Sequence, residues 1–460
     1  MPSLTFLGAA RTVTGSKYLL QLETQRLLVD CGLFQGLKEL RLRNWAPLPV
    51  DPASLDAVVL THAHIDHSGW LPRLVAEGFR GRIFCTPGTA DLCRIVLPDA
   101  GRLQEEDARN ANKGHYTKHS PALPLFTETD AHRAISQLQP VGYERLMPVA
   151  DGVEVEFVNA GHLLGSAYVR MRIGGPQGRL VLFGGDLGRY DRPILPDPTP
   201  AHDADVLLVE STYGDRVHDP DNGGDRMAEI VNATIRRGGK VIVPAFAVGR
   251  VGEVLYTLAR LEEERRIPKL PVVVDSPMAT GALQYYTRRA NELDPDMRPA
   301  SGVVCRFCTE HFQTVSSVQQ SKELTASKAP AIVISSSGMA TGGRVLHHLK
   351  AALPDARNTV LFVGYQAAGT RGRSLVDGAG SVKIHGQIVP VAATIERIDS
   401  MSAHADSVEI LRWLGGFDRP PSITYLVHGE PAPMDALKAT IASRLGWTVH
   451  APSHGETVEL

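Results

Sequence analysis

The chain has 460 residues, 43% of them hydrophobic and 21% charged, with a formal net charge of −2. That length exceeds one simple core and favours two or three domains, while the composition is that of an ordinary globular protein. Near-neutral charge excludes a generic polyanion binder, and no run of about 18 apolar residues marks a membrane span.

Met1 to Leu7 lacks the basic region, long apolar core and cleavage site of a secretory signal, so a cytoplasmic location is expected. Apolar and polar residues then alternate as strands over Ser3 to Leu7, Tyr18 to Leu22 and Arg26 to Asp30. The small-residue loop from Gly8 to Ser16 has no P-loop lysine spacing and reads as the wall of a site. Next comes Thr61-His62-Ala63-His64-Ile65-Asp66-His67-Ser68-Gly69, directly after the apolar run Ala57 to Leu60. Imidazoles and a carboxylate packed this closely, in a tight loop, can converge on one or two metal ions; neutral imidazole and carboxylate are ligands that zinc takes.

Helices are predicted over Gly69 to Glu77, Gly88 to Leu97, Asp99 to Asn112 and Asp130 to Leu138. Further apolar strands each stop at a candidate ligand or acid. Val155 to Asn159 leads to His162, Leu180 to Phe183 to Asp186, Val206 to Val209 to Glu210, and Ile423 to Val427 to His428. Helix-covered sheets bind ligands beyond the carboxyl ends of their strands, so one site fed by several strands is the economical explanation.

From about residue 215 strands and helices alternate regularly, which predicts a parallel sheet with covered faces and hence a second domain. It must be an insertion, because His428 returns to the metal cluster. Residues 215–380 carry 21 Lys and Arg against 17 Asp and Glu, an asymmetry that permits a nucleic-acid partner. Inside the insert, Ser335-Ser336-Ser337-Gly338 offers hydroxyls and backbone amides at a helix start, a favourable place for a phosphate, and Arg250 is a second candidate contact. Cysteines 31, 85, 93, 305 and 308 are scattered and odd in number, which fits reduced thiols; the lone Cys305-Arg306-Phe307-Cys308 reads as packing.

His62-x-His64-x-Asp66-His67, with Asp30, His162 and Asp186 at strand ends, resembles the metallo-β-lactamase superfamily. Glu210, Ser402-Ala403-His404-Ala405-Asp406 and His428-Gly429-Glu430 are similar to the extra motifs of its β-CASP branch, the nucleic-acid nucleases, and are closest to the RNA-processing members. The resemblance implies an α/β fold, a four-layer αββα sandwich (residues 1–212 and 381–460) interrupted by an inserted α/β β-CASP domain (residues 213–380) that clamps substrate. It implies two Zn²⁺ per chain, one on His62, His64, His162 and Asp186, the other on Asp66, His67, Asp186 and His428, with Asp30 fixing a ligand imidazole from behind.

Under that resemblance the chain is a ribonuclease releasing 5′-phosphate and 3′-hydroxyl ends, by internal cleavage or from the 5′ end. His404 is the expected general acid, held protonated by Glu210. Expected partners are single-stranded RNA and a second copy of the chain, with no membrane. Rival readings are a small-substrate hydrolase, a non-catalytic RNA-binding paralogue and a β-CASP DNA-repair nuclease. In the resemblance the position of His428 is histidine in RNA-cleaving branches and typically aliphatic in the repair branch, which favours RNA.

Overall fold

Alternating apolar positions do fold as strands: Ser3–Phe6, Tyr18–Gln21 and Arg26–Val29 pair antiparallel in register. The computed structural model describes residues 2–114, 119–220, 224–297 and 305–460. The chain divides into two units, Met1–Val217 with His404–Leu460, and His218–Ala403.

In the first unit, the opening strands belong to a seven-stranded sheet that continues through Ala57–Val59, Arg82–Cys85 and Leu138–Pro140. A second seven-stranded sheet is centred on Ile423–Val427, Val206–Glu210 and Arg179–Phe183, which run parallel to one another. Phe6, Leu20 and Val59 from one sheet and Phe157, Phe183 and Tyr425 from the other share a single buried core. The far face of the second sheet, with Leu182, Leu207 and Leu426, packs on Trp413 and Leu437 of the helices Ser407–Leu414 and Pro431–Leu445. On the far face of the first sheet, Leu19, Leu28, Val58 and Ile83 are likewise buried, and the helix Pro87–Gly114 packs there against Leu138–Pro140. These are the four αββα layers expected from the sequence.

Several elements differ from the sequence reading. The helices predicted over 88–97 and 99–112 are one helix, Pro87–Gly114, with Pro98 inside it. Proline removes one intrahelical bond there, but Val96, Leu97, Pro98 and Gly101 are all buried, and that packing carries the helix through. Of the polar stretch 99–120, residues 115–118 lie outside the described residues. Two strands the sequence did not reveal, Met147–Ala150 and Ala167–Ile173, flank Val153–Asn159 antiparallel. Cys305 and Cys308 are joined in a disulfide, against the expectation of reduced, packed thiols; Cys31, Cys85 and Cys93 are free and buried.

The second unit is built on a six-stranded, all-parallel sheet in the order Phe312–Thr314, Val272–Val274, Ile332–Ser335, Val241–Pro244, Thr359–Phe362, Thr394–Arg397. The unit ends at Ala403, beyond the boundary at 380 drawn from the sequence. The reason is packing: Thr394–Arg397 pairs with Thr359–Phe362, and Val382, Ile384 and Val389 of the hairpin Ser381–Ile384/Gln387–Pro390 bury in the same core as Ile242 and Phe362. Among the described residues no helix is long and apolar enough to cross a membrane.

The first unit's two segments meet where the insert leaves and returns, with Ser407 N donating to Arg216 O at 3.1 Å and Tyr213 bridging Asp406. Excising residues 218–403 and closing the gap with a short flexible linker should therefore give a soluble first unit. Excising only 215–380 strands the apolar hairpin and the Thr394–Arg397 strand, and should give aggregate; size-exclusion chromatography of the two products distinguishes them.

Candidate metal centre

Six strands of the first unit end close to residues that share one buried point. Val29 ends the strand before Asp30, which turns at φ 58° and is fully buried. Its Oδ1 accepts from Thr61 N and Thr61 Oγ1, both at 2.9 Å, and its Oδ2 accepts from Ser16 Oγ at 2.9 Å. His67 Nδ1 lies 2.7 Å from the same Oδ2. The carboxylate thus fixes the His67 ring and leaves Nε2 facing inward. A side chain is impossible at position 32, because a Cβ there would stand 1.6 Å from Asp66 O; Gly32 lets the two segments touch.

Short helix Ile65–Ser68 follows His64, and this turn brings the motif's side chains together. His62 Nε2 and His162 Nε2 stand 3.1 and 3.2 Å from His64 Nδ1, and each is 3.4 Å from Asp186 Oδ2. His162 is presented by a turn in which Gly161 takes φ 68° and Ser166 Oγ accepts from His162 N. On the other side of Asp186, Oδ1 lies 3.2 Å from His67 Nε2 and 3.6 Å from His428 Nδ1, and His428 Nε2 is 3.3 Å from Asp66 Oδ2. His428 itself turns at φ 49° and is anchored by its N–H to Ala9 O at 2.7 Å, so the small-residue loop 8–16 does form a wall.

Among the groupings of described residues that could hold a metal ion are His62, His64, His162 and Asp186, and Asp66, His67 and His428 with the shared Asp186 beside them. Ligand atoms about 2.0–2.1 Å from a tetrahedral ion stand ~3.3 Å apart, which is the spacing observed between these nitrogens and oxygens. Burial lowers the pKa of His62, of His64 (to about 3) and of His162, and neighbouring imidazoles lower them further, which favours the neutral imidazole that a metal ion takes. His67 Nε2 and Asp186 Oδ1 are buried without a hydrogen-bond partner. Orphaned polar atoms of this kind need an explanation, and a cation between them supplies one. The residues fit zinc.

Glu210 and His404 stand beside this cluster. Glu210 is fully buried; Oε1 accepts from Leu187 N at 2.6 Å, and Oε2 accepts from Thr212 Oγ1 and lies 3.0 Å from His404 Nδ1. Burial alone would lower the His404 pKa, but the Glu210 and Asp186 carboxylates outweigh it and hold it up to about 9. The Glu210 bond takes Nδ1 and leaves Nε2 on the opposite edge of a ring whose side chain is 16% exposed. Asp406 of the same motif has a structural task, capping the helix Ser407–Leu414 through Val408 N and Glu409 N.

Sequence reasoning missed the hydroxyls that organise the site: Ser16 and Thr61 on Asp30, Ser166 on the His162 turn, and Thr212 on Glu210 and His428 Nδ1 (3.0 Å). Thr61, Ser166 and Thr212 stand within four residues of a charged motif, their only signal, and Ser16 gave none. Ser335, Ser336, Ser337, Gly338 and Arg250 lie in the second unit. Arg250, the second candidate phosphate contact, is buried and ion-paired with Glu253 on its own helix.

A model of the Metallo-beta-lactamase superfamily matches residues 11–81, one of the Beta-Casp domain 251–375, and one of the Zn-dependent metallo-hydrolase RNA specificity domain 388–452. Ribonuclease TTHA0252 of Thermus thermophilus is 39% identical over 454 residues, covering 98% of each chain. Transcription termination factor FttA of Pyrococcus horikoshii is 30% identical over 99% of this chain and 71% of its own length. A solved structure of a protein of unknown function from Enterococcus faecalis aligns over the whole of both chains with TM-score 0.53 at 15% identity, a likeness of fold alone.

Because Asp30 orients His67 from behind, Asp30→Ala should weaken metal binding by about 10–100-fold, the usual effect of removing such a support. Competition with a chromophoric chelator measures this directly; unchanged affinity would mean that His67 needs no such support.

Proposed function

This chain belongs to the β-CASP family of RNA nucleases within the metallo-β-lactamase superfamily, and we propose that it hydrolyses phosphodiester bonds of single-stranded RNA with two zinc ions per chain, leaving 5′-phosphate and 3′-hydroxyl ends. The observation that carries the reading is the pairing of a complete two-ion ligand set with His404 on Glu210. The ligand set serves any hydrolase of the superfamily, whereas the second imidazole–carboxylate pair answers a need specific to a poor alkoxide leaving group. Bound there, zinc would supply Lewis acidity, making water a nucleophile near neutral pH and offsetting negative charge on the phosphate.

The chain's own residues do the rest. Asp30 and Thr61 hold the His67 ring in one orientation. Glu210, fixed by Leu187 N–H and Thr212, takes the Nδ1 side of His404, so that the proton given to the departing 3′-oxygen comes from Nε2. The cluster is almost wholly buried, which strengthens each of these electrostatic interactions by excluding water. RNA in preference to DNA is supported by the RNA specificity domain over 388–452, by the ribonuclease relative, and by His428, whose imidazole reaches Asp66 and Asp186 as no aliphatic residue can. A non-catalytic paralogue is disfavoured because every expected ligand is present and convergent.

Elemental analysis of gently purified protein should give two zinc ions per chain. His404→Ala should retain them while losing about 10²–10⁴-fold in hydrolysis, the range for removal of a general acid; loss of metal, or a near-normal rate, would remove His404 from that role. The reaction itself is tested with 5′-labelled and 3′-labelled RNA set against DNA of the same sequence, length and salt. RNA should be cut and DNA spared, and product sizes decide between internal cleavage and attack from the 5′ end. Comparable cleavage of DNA would place the chain with the repair nucleases.

A further inference from the structure

The second unit has a carboxyl edge of its own. In a parallel sheet covered by helices, ligands bind beyond the carboxyl ends of the strands. There Val272–Val274 ends at Asp275, and the neighbouring Ile332–Ser335 runs into the turn that ends at Arg344. The two strand ends are tied together: Ser335 Oγ donates to Asp275 O at 2.7 Å, and Asp275 N to Ile334 O at 2.9 Å.

Asp275 is fully buried, and three side chains converge on it. Oδ1 accepts from Arg344 Nη1 at 2.7 Å; Oδ2 accepts from Ser321 Oγ at 2.5 Å and lies 2.7 Å from His348 Nε2. His348 is fixed in turn, its Nδ1 standing 3.2 Å from Thr325 Oγ1. Desolvation alone would raise the Asp275 pKa, but the hydrogen bonds from His348, Ser321 and Arg344 outweigh it and hold the group as a carboxylate.

Arg344 uses only one edge of its guanidinium on this anchor. Its side chain is 23% exposed, and Nε and Nη2 make no hydrogen bond among the described residues. Beside it, Val345 N donates to Ser336 O at 3.3 Å, and the buried Ser336 Oγ likewise has no partner. Neither of the other two serines is available to a ligand in this way. Ser335 is committed to Asp275 O, and Ser337 Oγ accepts from Thr341 N and Gly342 N to close the turn. A buried ion pair is in itself a weak stabiliser, because desolvating both charges offsets their attraction. A guanidinium clamped on one edge, however, presents its other donors in a fixed fork, and such a fork matches two oxygens of a phosphate.

We propose that Arg344, aimed by Asp275, binds a phosphate of the RNA strand, with Ser336 Oγ as a second donor. The assignment rests on the ribonuclease reading for the identity of the ligand. Asp275 and His348 are positioning residues; Arg344 and Ser336 touch the substrate.

The test measures binding of a labelled single-stranded RNA to zinc-loaded protein by fluorescence anisotropy across a range of KCl concentrations, in a His404→Ala background with strand integrity checked on a gel. Arg344→Gln can still donate to Asp275 but lacks the charge. It should weaken binding about ten-fold and reduce the slope of log affinity against log salt by about 0.7, the contribution of one phosphate contact on a single strand. Arg344→Lys should keep the slope with intermediate affinity, and remains informative should Arg344→Gln fail to fold. Asp275→Asn keeps the arginine charge and loosens its aim, so affinity should fall with the slope retained. Arg344 variants that bind with wild-type affinity and slope, whatever their melting temperature, would overturn the assignment while leaving the ribonuclease reading intact. A parent protein with no salt-dependent RNA affinity would overturn that reading, and this assignment with it.

Discussion

Five imidazoles stand within 4 Å of one buried carboxylate: His62, His162 and His404 on Asp186 Oδ2, and His67 and His428 on Oδ1. Asp186 is 1% exposed, and burial disfavours its charge; the surrounding imidazoles, His428 and His67 foremost, pull its pKa well below the carboxylate range. So dense a set of polar atoms away from water is costly unless cations complete it. The fold around Asp186 is organised to meet that demand. Its neighbours come from strand ends and turns far apart in sequence, and none can shift alone without leaving another unmatched.

Two face-to-face sheets make this convergence possible. The first delivers Asp30 and the His62 to His67 motif; the second delivers His162, Asp186, Glu210 and His428. Their shared core of Phe6, Val59, Phe157, Phe183 and Tyr425 sets the spacing between the two groups of ligands. Rigidity here comes from apolar packing, and orientation from a shell of Ser and Thr hydroxyls. The backbone contributes through the left-handed turns at Asp30 and His428, each at the end of a strand where the chain must reverse to aim a side chain inward. Strain of this kind is tolerated where surrounding contacts over-determine it, and both residues are held by backbone hydrogen bonds, Asp30 N to Val59 O and His428 N to Ala9 O.

The convergent cluster of candidate ligands was legible in the sequence because its chemistry is dense and local: three imidazoles and a carboxylate in one loop, and single acids or imidazoles after short apolar runs. The short apolar strands that end on these groups were legible for the same reason. What was not legible is set by tertiary context. The strands Met147–Ala150 and Ala167–Ile173 carry Pro148 and the polar Arg170 and Arg172, and pair only because Val153–Asn159 lies between them. Pro98 argued for a helix break that packing overrides. The second unit runs past 380 because the hairpin 381–390 belongs to it; its alternation of apolar and polar residues does not say which core it joins, and the burial of Val382, Ile384 and Val389 with Ile242 and Phe362 does. Arg250 and Arg344 look alike as residues; only their partners, Glu253 on the same helix and a buried Asp275 from another strand, separate a packed cation from a presented one.

Each unit uses the carboxyl edge of its strands, for different chemistry. In the first, the edge gathers groups that lose protons or share them: neutral imidazoles, depressed carboxylates and one imidazole kept protonated by Glu210. In the second, the edge carries hydroxyls, backbone turns and a guanidinium fixed by the buried Asp275 carboxylate. The first set is suited to breaking a bond and the second to holding a charge that does not react. A polyanionic substrate needs both. A small-substrate hydrolase of the same superfamily needs only the metal-binding part of the first, so under the proposed function a polynucleotide substrate accounts for both the His404–Glu210 pair and the inserted sheet.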